Sequence, residues 1–263
     1  MKKKFYIEAI FLILLGLLTS LSLPPLNYLV INFFTLSLFY IFLIKKLSEN
    51  DNKNFFFIYG WLFGFGYFAT NLYWISISLT FDQNFKFLIP LTVFLIPFLL
   101  SIFYGLVSYF FIILKPKKLI SSLLIFSLIF GIIEFVRGFI LTGFPWNLIV
   151  YSLSSQLEIL SITSIIGTYS LNLICITLFT SPVLLILKKT KKNIGVCIFF
   201  LLIILTFYFY GHSYKKSFYK SEKKTYQYKV RIIGSNISLD RFYLKLDTIS
   251  IVRDLIKLSN QSL

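Results

Sequence analysis

Gly131-Ile132-Ile133-Glu134-Phe135-Val136-Arg137-Gly138, running on to Thr142-Gly143-Phe144-Pro145-Trp146, is the stretch whose reading decides the fold. It closes an apolar run, 119–141, long enough to span a bilayer, yet it carries a carboxylate and a guanidinium three residues apart. That spacing puts Glu134 and Arg137 on one face of a helix, where they can pair. Charges within a membrane are costly and usually face a bundle interior or a wet cavity, which marks them as candidates for function. Two readings stay open on the residues alone: a pair that only orients this helix among its neighbours, or a site. The Gly-Phe-Pro-Trp turn that follows at once is rigid.

Composition agrees with a chain of the bilayer. The hydrophobic fraction is 57% and only 14% of residues are charged, against about 25% charged in soluble domains. The formal net charge of +16 could suggest nucleic acid. Its cations, however, sit in short clusters between apolar runs, as cytoplasmic loops of membrane proteins do, so no nucleic-acid partner is expected. Cys175 and Cys197 both lie inside apolar runs, which implies neither a disulfide framework nor a metal site.

The apolar runs predict about seven transmembrane helices in an all-α polytopic bundle over 1–210, at about 7–23, 26–44, 55–79, 87–114, 119–141, 159–187 and 194–210. Lys2-Lys3-Lys4 before the first run resembles a signal peptide, but Pro24-Pro25 follows it without a small-x-small cleavage site, so it reads as an uncleaved helix. The Pro-Pro turn makes the first two spans an antiparallel hairpin. Gly60 and Gly64 in the third span have GxxxG spacing, the mark of close helix packing. Trp74, at that span's end, suits an aromatic belt at the membrane surface.

Loop charge sets the expected orientation. One set of loops holds Lys2, Lys3, Lys4, Lys45, Lys46, Lys53, Lys115, Lys117, Lys118, Lys188, Lys189, Lys191 and Lys192, while the opposite short loops hold only Lys86. The N-terminus is therefore expected in the cytoplasm, with the Gly143–Trp146 turn and the tail beyond Tyr210 on the far side. The tail changes character: a basic linker at 211–228, then a strand at Lys229-Val230-Arg231-Ile232-Ile233 and a Gly-Ser-Asn turn. Asp247 caps a plausible helix with Ile249, Val252 and Ile256 on one face. One strand and one helix cannot bury a core, so 229–263 reads as a domain begun and not finished within this sequence.

A search for chemistry finds little. His212 is the single histidine, with no second histidine, cysteine pair or carboxylate cluster around it. No Gly-rich phosphate cradle occurs.

Glu134-x-x-Arg137-Gly138 followed by Thr142-Gly143-Phe144-Pro145-Trp146 resembles the signature of bacterial apolipoprotein N-acyltransferases. The resemblance extends to Asn71-Leu72-Tyr73-Trp74-Ile75, to Ile166-Gly167-Thr168-Tyr169-Ser170, and to Gly234-Ser235-Asn236-Ile237, which is similar to the family's Gln-Pro-Asn-Ile or Gln-Gly-Asn-Ile. It implies an enzyme of the bacterial cytoplasmic (inner) membrane whose bundle carries a nitrilase-like α/β domain on the periplasmic side. Such an enzyme moves an acyl chain from a membrane phospholipid to the N-terminal diacylglyceryl-cysteine of an apolipoprotein. A Cys nucleophile, a Glu base and an oxyanion-stabilising Lys do this through a thioester, without a cofactor.

In this resemblance the catalytic Glu, Lys and Cys fall beyond Leu263, so no residue here is offered as catalytic and no metal is expected. Two departures stand out: the family's Gln before the Asn is Gly234, and its Trp a few residues later is Phe242 or Tyr243. The expected role is the membrane part of the acyltransferase, inactive alone and completed in one case by a second chain carrying the catalytic half. The substrate-binding residues implied are Trp74, Glu134, Arg137, Gly143, Phe144, Pro145, Trp146 and Asn236, with Arg137 suited to a lipid phosphate and Glu134 holding it. The alternative is a non-enzymatic membrane anchor for a separate soluble enzyme such as a glycosyltransferase.

Overall fold

The computed structural model describes residues 2–49, 52–114, 117–140, 143–221, 232, 234 and 248–259. These form two compact units, Met1–Tyr219 and Lys220–Leu263. In the first unit α1 is Lys2–Ser20, α2 Ile31–Glu49, α3 Lys53–Leu72, α4 Ile89–Leu114 and α5 Leu119–Phe139. Short helices α6 (Leu157–Leu160) and α7 (Thr163–Ile166) lead into α8 (Thr168–Thr180), α9 (Val183–Leu187) and α10 (Lys191–Lys220).

Six helical segments among the described residues are long and apolar enough to cross a membrane, rather than the seven expected: 31–49, 53–80, 83–114, 119–139, 168–187 and 191–220. The segment that falls short is α1. It carries Lys2, Lys3, Lys4 and Glu8 in its first two turns, which shortens its apolar stretch. It nevertheless packs into the bundle, antiparallel to α2. Lys46 near the end of α2 donates to Glu8 Oε1 at 2.7 Å and to Glu49 Oε2 at 2.9 Å, and Lys4 lies 3.5 Å from Glu49. The far ends of the pair are joined by the turn through Pro24-Pro25.

Small residues fix the central layer. A Cβ on Gly16 or Gly66 would strike the backbone carbonyls of Phe63 or Ile13, so α1 and α3 touch backbone to backbone. Gly60 meets the Tyr104 carbonyl of α4 in the same way, and Gly64 meets Ser101 and Tyr104. Without a hydrophobic driving force between helices in lipid, such close approach supplies the dispersion contact that holds them together. Phe39, Phe63, Tyr104, Phe111, Phe126 and Phe130 fill the space between α2, α3, α4 and α5.

The expected sixth span is broken. Gly167, at φ +78°, separates α7 from α8, and Ser181-Pro182 separates α8 from α9. Residues 149–166 instead form short helical turns whose Ser and Thr hydroxyls bond back to nearby carbonyls. α10 runs on as helix through 211–220, where the sequence reading starts a linker. Only Asn193, Cys197 and Gly211 of α10 are buried, so it lies on the bundle with most of its apolar surface open.

The second unit contains α11, Thr248–Ser259, in which Ile251 is buried while Ile249, Val252 and Ile256 are exposed. The strand expected at 229–233 lies outside the described residues except for Ile232, which is exposed and in no regular element. No strand occurs among the described residues, so the fold they show is all-helical.

Candidate functional site

The site is built on the way α5 ends. The helix stops at Phe139, and Ile140 turns extended while its N–H still donates to Val136 O. Gly143 then takes φ +76°, where a Cβ would press on the Gly138 carbonyl. This brings Gly143 N to Ile140 O at 2.9 Å and Phe144 N to Arg137 O at 2.9 Å. A glycine tolerates that backbone conformation at no steric cost, and the chain folds back over the helix it has just left.

Arg137 pins the returning chain. Its Nη2 donates to Glu134 Oε2 at 2.6 Å, and its Nη1 donates to the Phe144 carbonyl at 2.8 Å and the Trp146 carbonyl at 2.9 Å. Neither side chain of the pair has any exposed surface. The guanidinium also lies 5.3 Å from the Phe68 ring and 5.9 Å from the Phe144 ring, at cation–π distance. A buried charge has to be paired and hydrogen-bonded to be tolerated, and Arg137 meets most of that need through the turn itself. Glu134 Oε1, Arg137 Nε and the nearby Tyr104 hydroxyl remain buried without a hydrogen-bond partner.

The turn presents aromatic surface outward. Trp146 stacks on Trp74 with ring centroids 5.3 Å apart and 21° between planes, and Phe144 packs behind it at 5.7 Å. Trp74 and Trp146 remain 43% and 51% exposed, so the stack forms a rim and not a core. Beside it opens a cavity of about 470 Å³ lined by Leu23, Pro24, Trp74, Trp146, Asn147, Tyr151 and Ser154. Pro145 is exposed at the crest of the turn.

Of the residues singled out in the sequence, Trp74, Glu134, Arg137, Gly143, Phe144, Pro145 and Trp146 come together here. Asn236 lies outside the described residues. Several supporting residues were missed. The Tyr67 hydroxyl donates to the Asn147 carbonyl at 2.8 Å, and Val150 N–H donates to Asn172 Oδ1 at 2.9 Å, so both ends of the segment after Trp146 are tied to the bundle. Ser154 Oγ donates to Asn27 Oδ1 at 2.9 Å on the cavity's far wall. A signal for Tyr67 was present: Gly60, Gly64, Tyr67 and Asn71 share one helical stripe.

Cys175 is fully buried, and Cys197 Sγ sits 3.3 Å from the Ser181 carbonyl. No group of three His, Cys, Asp or Glu residues able to hold a metal occurs among the described residues. His212 is exposed and stacks on Tyr208.

Comparison with known proteins gives one consistent result. A family model described as "Apolipoprotein N-acyltransferase N-terminal domain" matches residues 15–181. Proteins named apolipoprotein N-acyltransferase are similar to the chain. That of Allorhizobium ampelinum is 31% identical over 192 residues, covering 70% of this chain and 36% of its own length. That of Agrobacterium fabrum is 28% identical over 263 residues, covering 96% and 48%. That of Rickettsia prowazekii is 34% identical over 186 residues, covering 70% and 36%. The chain thus spans between about a third and a half of the length of these relatives.

Proposed function

This chain belongs to the apolipoprotein N-acyltransferase family, and from that premise we propose that it is the membrane part of such an enzyme, receiving the acyl-donor phospholipid at the Trp74–Trp146 rim. The observation that carries the reading is the pinned turn: a buried Arg137 spends its guanidinium on the carbonyls of Phe144 and Trp146, which holds an exposed tryptophan stack open beside a cavity. Rigid aromatic surface at a membrane boundary suits an acyl chain and its glycerol ester, since an indole offers an apolar body and a polar edge. Glu134 and Arg137 then act by positioning. Their charge is committed inward, and the lipid meets the surface they hold in place. Gly143 and Pro145 give the turn its shape, and Asn236 is proposed as a further substrate-binding residue.

The acyl transfer to an apolipoprotein amine is assigned to residues outside this sequence, supplied in the same polypeptide or by a second chain. In support, Cys175 and Cys197 are both buried within helices of the bundle. Lysine placement supports an inner-membrane topology with the N-terminus cytoplasmic and the turn on the periplasmic side.

Quenching by phospholipids with brominated acyl chains tests the lipid reading. In a Trp61→Phe background, the emission of Trp74 and Trp146 should be quenched in bilayers carrying the brominated lipid, and Trp146→Phe should remove most of the quenched signal. Emission untouched by brominated lipid would overturn the proposal and favour an anchor whose outer face docks another protein.

A further inference from the structure

A second cavity, at the opposite ends of the helices, is lined with cations. Its volume is about 910 Å³, and Lys117, Lys118, Lys188, Lys191 and Lys192 all face it. They come from two connections far apart in sequence, α4 to α5 and α9 to α10. All five are exposed, and among the described residues none lies within ion-pair distance of a carboxylate. Lys46 in the last turn of α2 behaves differently, since Glu8 and Glu49 neutralise it within the chain. Orientation by loop charge requires lysines in these connections; it does not require five of them to converge on one cavity, where their mutual repulsion disfavours the arrangement.

The convergence is held by structure. Asn193, 5% exposed, donates from Nδ2 to the Leu184 carbonyl at 3.0 Å and also to the Lys188 carbonyl. Its backbone N–H donates to Thr190 Oγ1 at 3.3 Å, so the turn carrying Lys188, Lys191 and Lys192 is clamped against α9. On the other wall Ser122 N–H donates to the Lys118 carbonyl at 2.8 Å and starts α5 immediately after the lysines. The residues running up to the cavity are apolar and exposed: Leu185, Ile186 and Leu187 precede Lys188, and Leu114 precedes the other lysine cluster. A site with a cationic head and apolar surface leading from it is complementary to an amphipathic anion.

We infer that this cavity binds the headgroup of an anionic membrane phospholipid, with its acyl chains along the exposed residues of α9 and the end of α4. Basic pockets between transmembrane helices recognise such headgroups by charge. This site is separate from the aromatic rim and does not depend on it.

Native mass spectrometry of the purified chain in mixed micelles tests the inference, with cardiolipin, phosphatidylglycerol and phosphatidylcholine as probes. Retention should favour the two anionic lipids. Each cavity lysine is expected to contribute about fivefold, so Lys118→Gln with Lys191→Gln should weaken anionic retention roughly twenty-five-fold. Lys45→Gln with Lys53→Gln removes equal charge outside the cavity and should change it less than about twofold. Lys118→Arg with Lys191→Arg should keep it. If the first pair impairs folding, Lys188→Gln with Lys192→Gln probes the same cavity. Equal retention of phosphatidylcholine, or equal losses in the cavity and control pairs, would overturn the inference. So would displacement of the lipid by millimolar inorganic phosphate, which would make this a site for free anions.

Discussion

Replacing Arg137 by alanine tests the pinned turn in the most quantitative way. The substitution strands Glu134 in the bundle core and removes the donor from the carbonyls of Phe144 and Trp146. Breaking a buried ion pair from one side costs about 3–5 kcal/mol, because the remaining charge is left uncompensated. Hydrogen bonds to charged groups add about 1.5–3 kcal/mol each where the acceptor finds no substitute. The two carbonyls belong to a partly exposed turn that water can reach, so their share is discounted and the total set at about 4 kcal/mol. In a unit of this size each kcal/mol moves the thermal midpoint by about 2–4 °C, giving a fall of about 8–16 °C. Thermal unfolding in detergent, followed by circular dichroism, reads this. With Trp61 and Trp74 replaced by Phe, the Trp146 emission should also shift to the red as the turn comes loose. Glu134→Gln added to Arg137→Ala should recover part of the loss, since it removes the stranded carboxylate. A midpoint within about 2 °C of the parent, or a further loss on adding Glu134→Gln, would refute the reasoning.

Other consequences follow from single contacts. Gly66→Ala and Gly60→Ala force a Cβ into the carbonyls of Ile13 and Tyr104 and should each destabilise by about 1–3 kcal/mol, whereas Gly195→Ala, with open space around it, should be neutral or slightly stabilising; thermal midpoints measure the contrast. Gly138→Ala meets the outer end of the Tyr169 side chain, its hydroxyl and ring edge, in place of backbone and should cost less than the two helix-contact glycines. Lys215, 2.7 Å from Glu158, holds that carboxyl below the usual carboxylate range. The pair therefore adds stability that is present above the carboxylate's unfolded pKa of about 4.3 and is lost as pH falls through the lower folded value. Hydrogen exchange over 211–219 should accelerate below about pH 4 in the parent chain and show no such step in Glu158→Gln. Cys175→Ala and Cys197→Ala should leave acyl transfer by the complete enzyme unchanged, measured on a lipopeptide acceptor.

The parts of the fold that rest on local pattern were legible in the sequence. Apolar runs located the helices, Gly60 and Gly64 announced a close helix contact, which α4 makes, and the three-residue spacing of Glu134 and Arg137 gave the ion pair. What escaped depends on where the backbone breaks and what fills its needs. The run at 159–187 holds no charged residue, and that continuity hides the positive φ at Gly167 and the interruption at Ser181-Pro182. The expectation that Arg137 suits a lipid phosphate treats its donors as free. In the structure its Nη1 is bonded to carbonyls seven and nine residues ahead and its Nη2 to Glu134, the first a pairing no helical spacing reveals. The Trp74–Trp146 stack likewise joins residues of different segments; alone, Trp74 reads as belt and Trp146 as part of the turn. The count of seven spans treated α1 by its apolar centre, while Lys2, Lys3, Lys4 and Glu8 occupy its first two turns and shorten its apolar stretch.

The central claim is that this chain supplies the membrane part of an apolipoprotein N-acyltransferase and that the transfer chemistry lies elsewhere. Cells depleted of their own N-acyltransferase, expressing this chain with and without the downstream coding region, test it directly through mass spectrometry of a lipoprotein N-terminus. The account predicts a third acyl chain only when the downstream region is present, and its loss when Trp146 is replaced by alanine in that complete form. A third acyl chain formed by residues 1–263 alone would contradict it and place the chemistry inside the bundle.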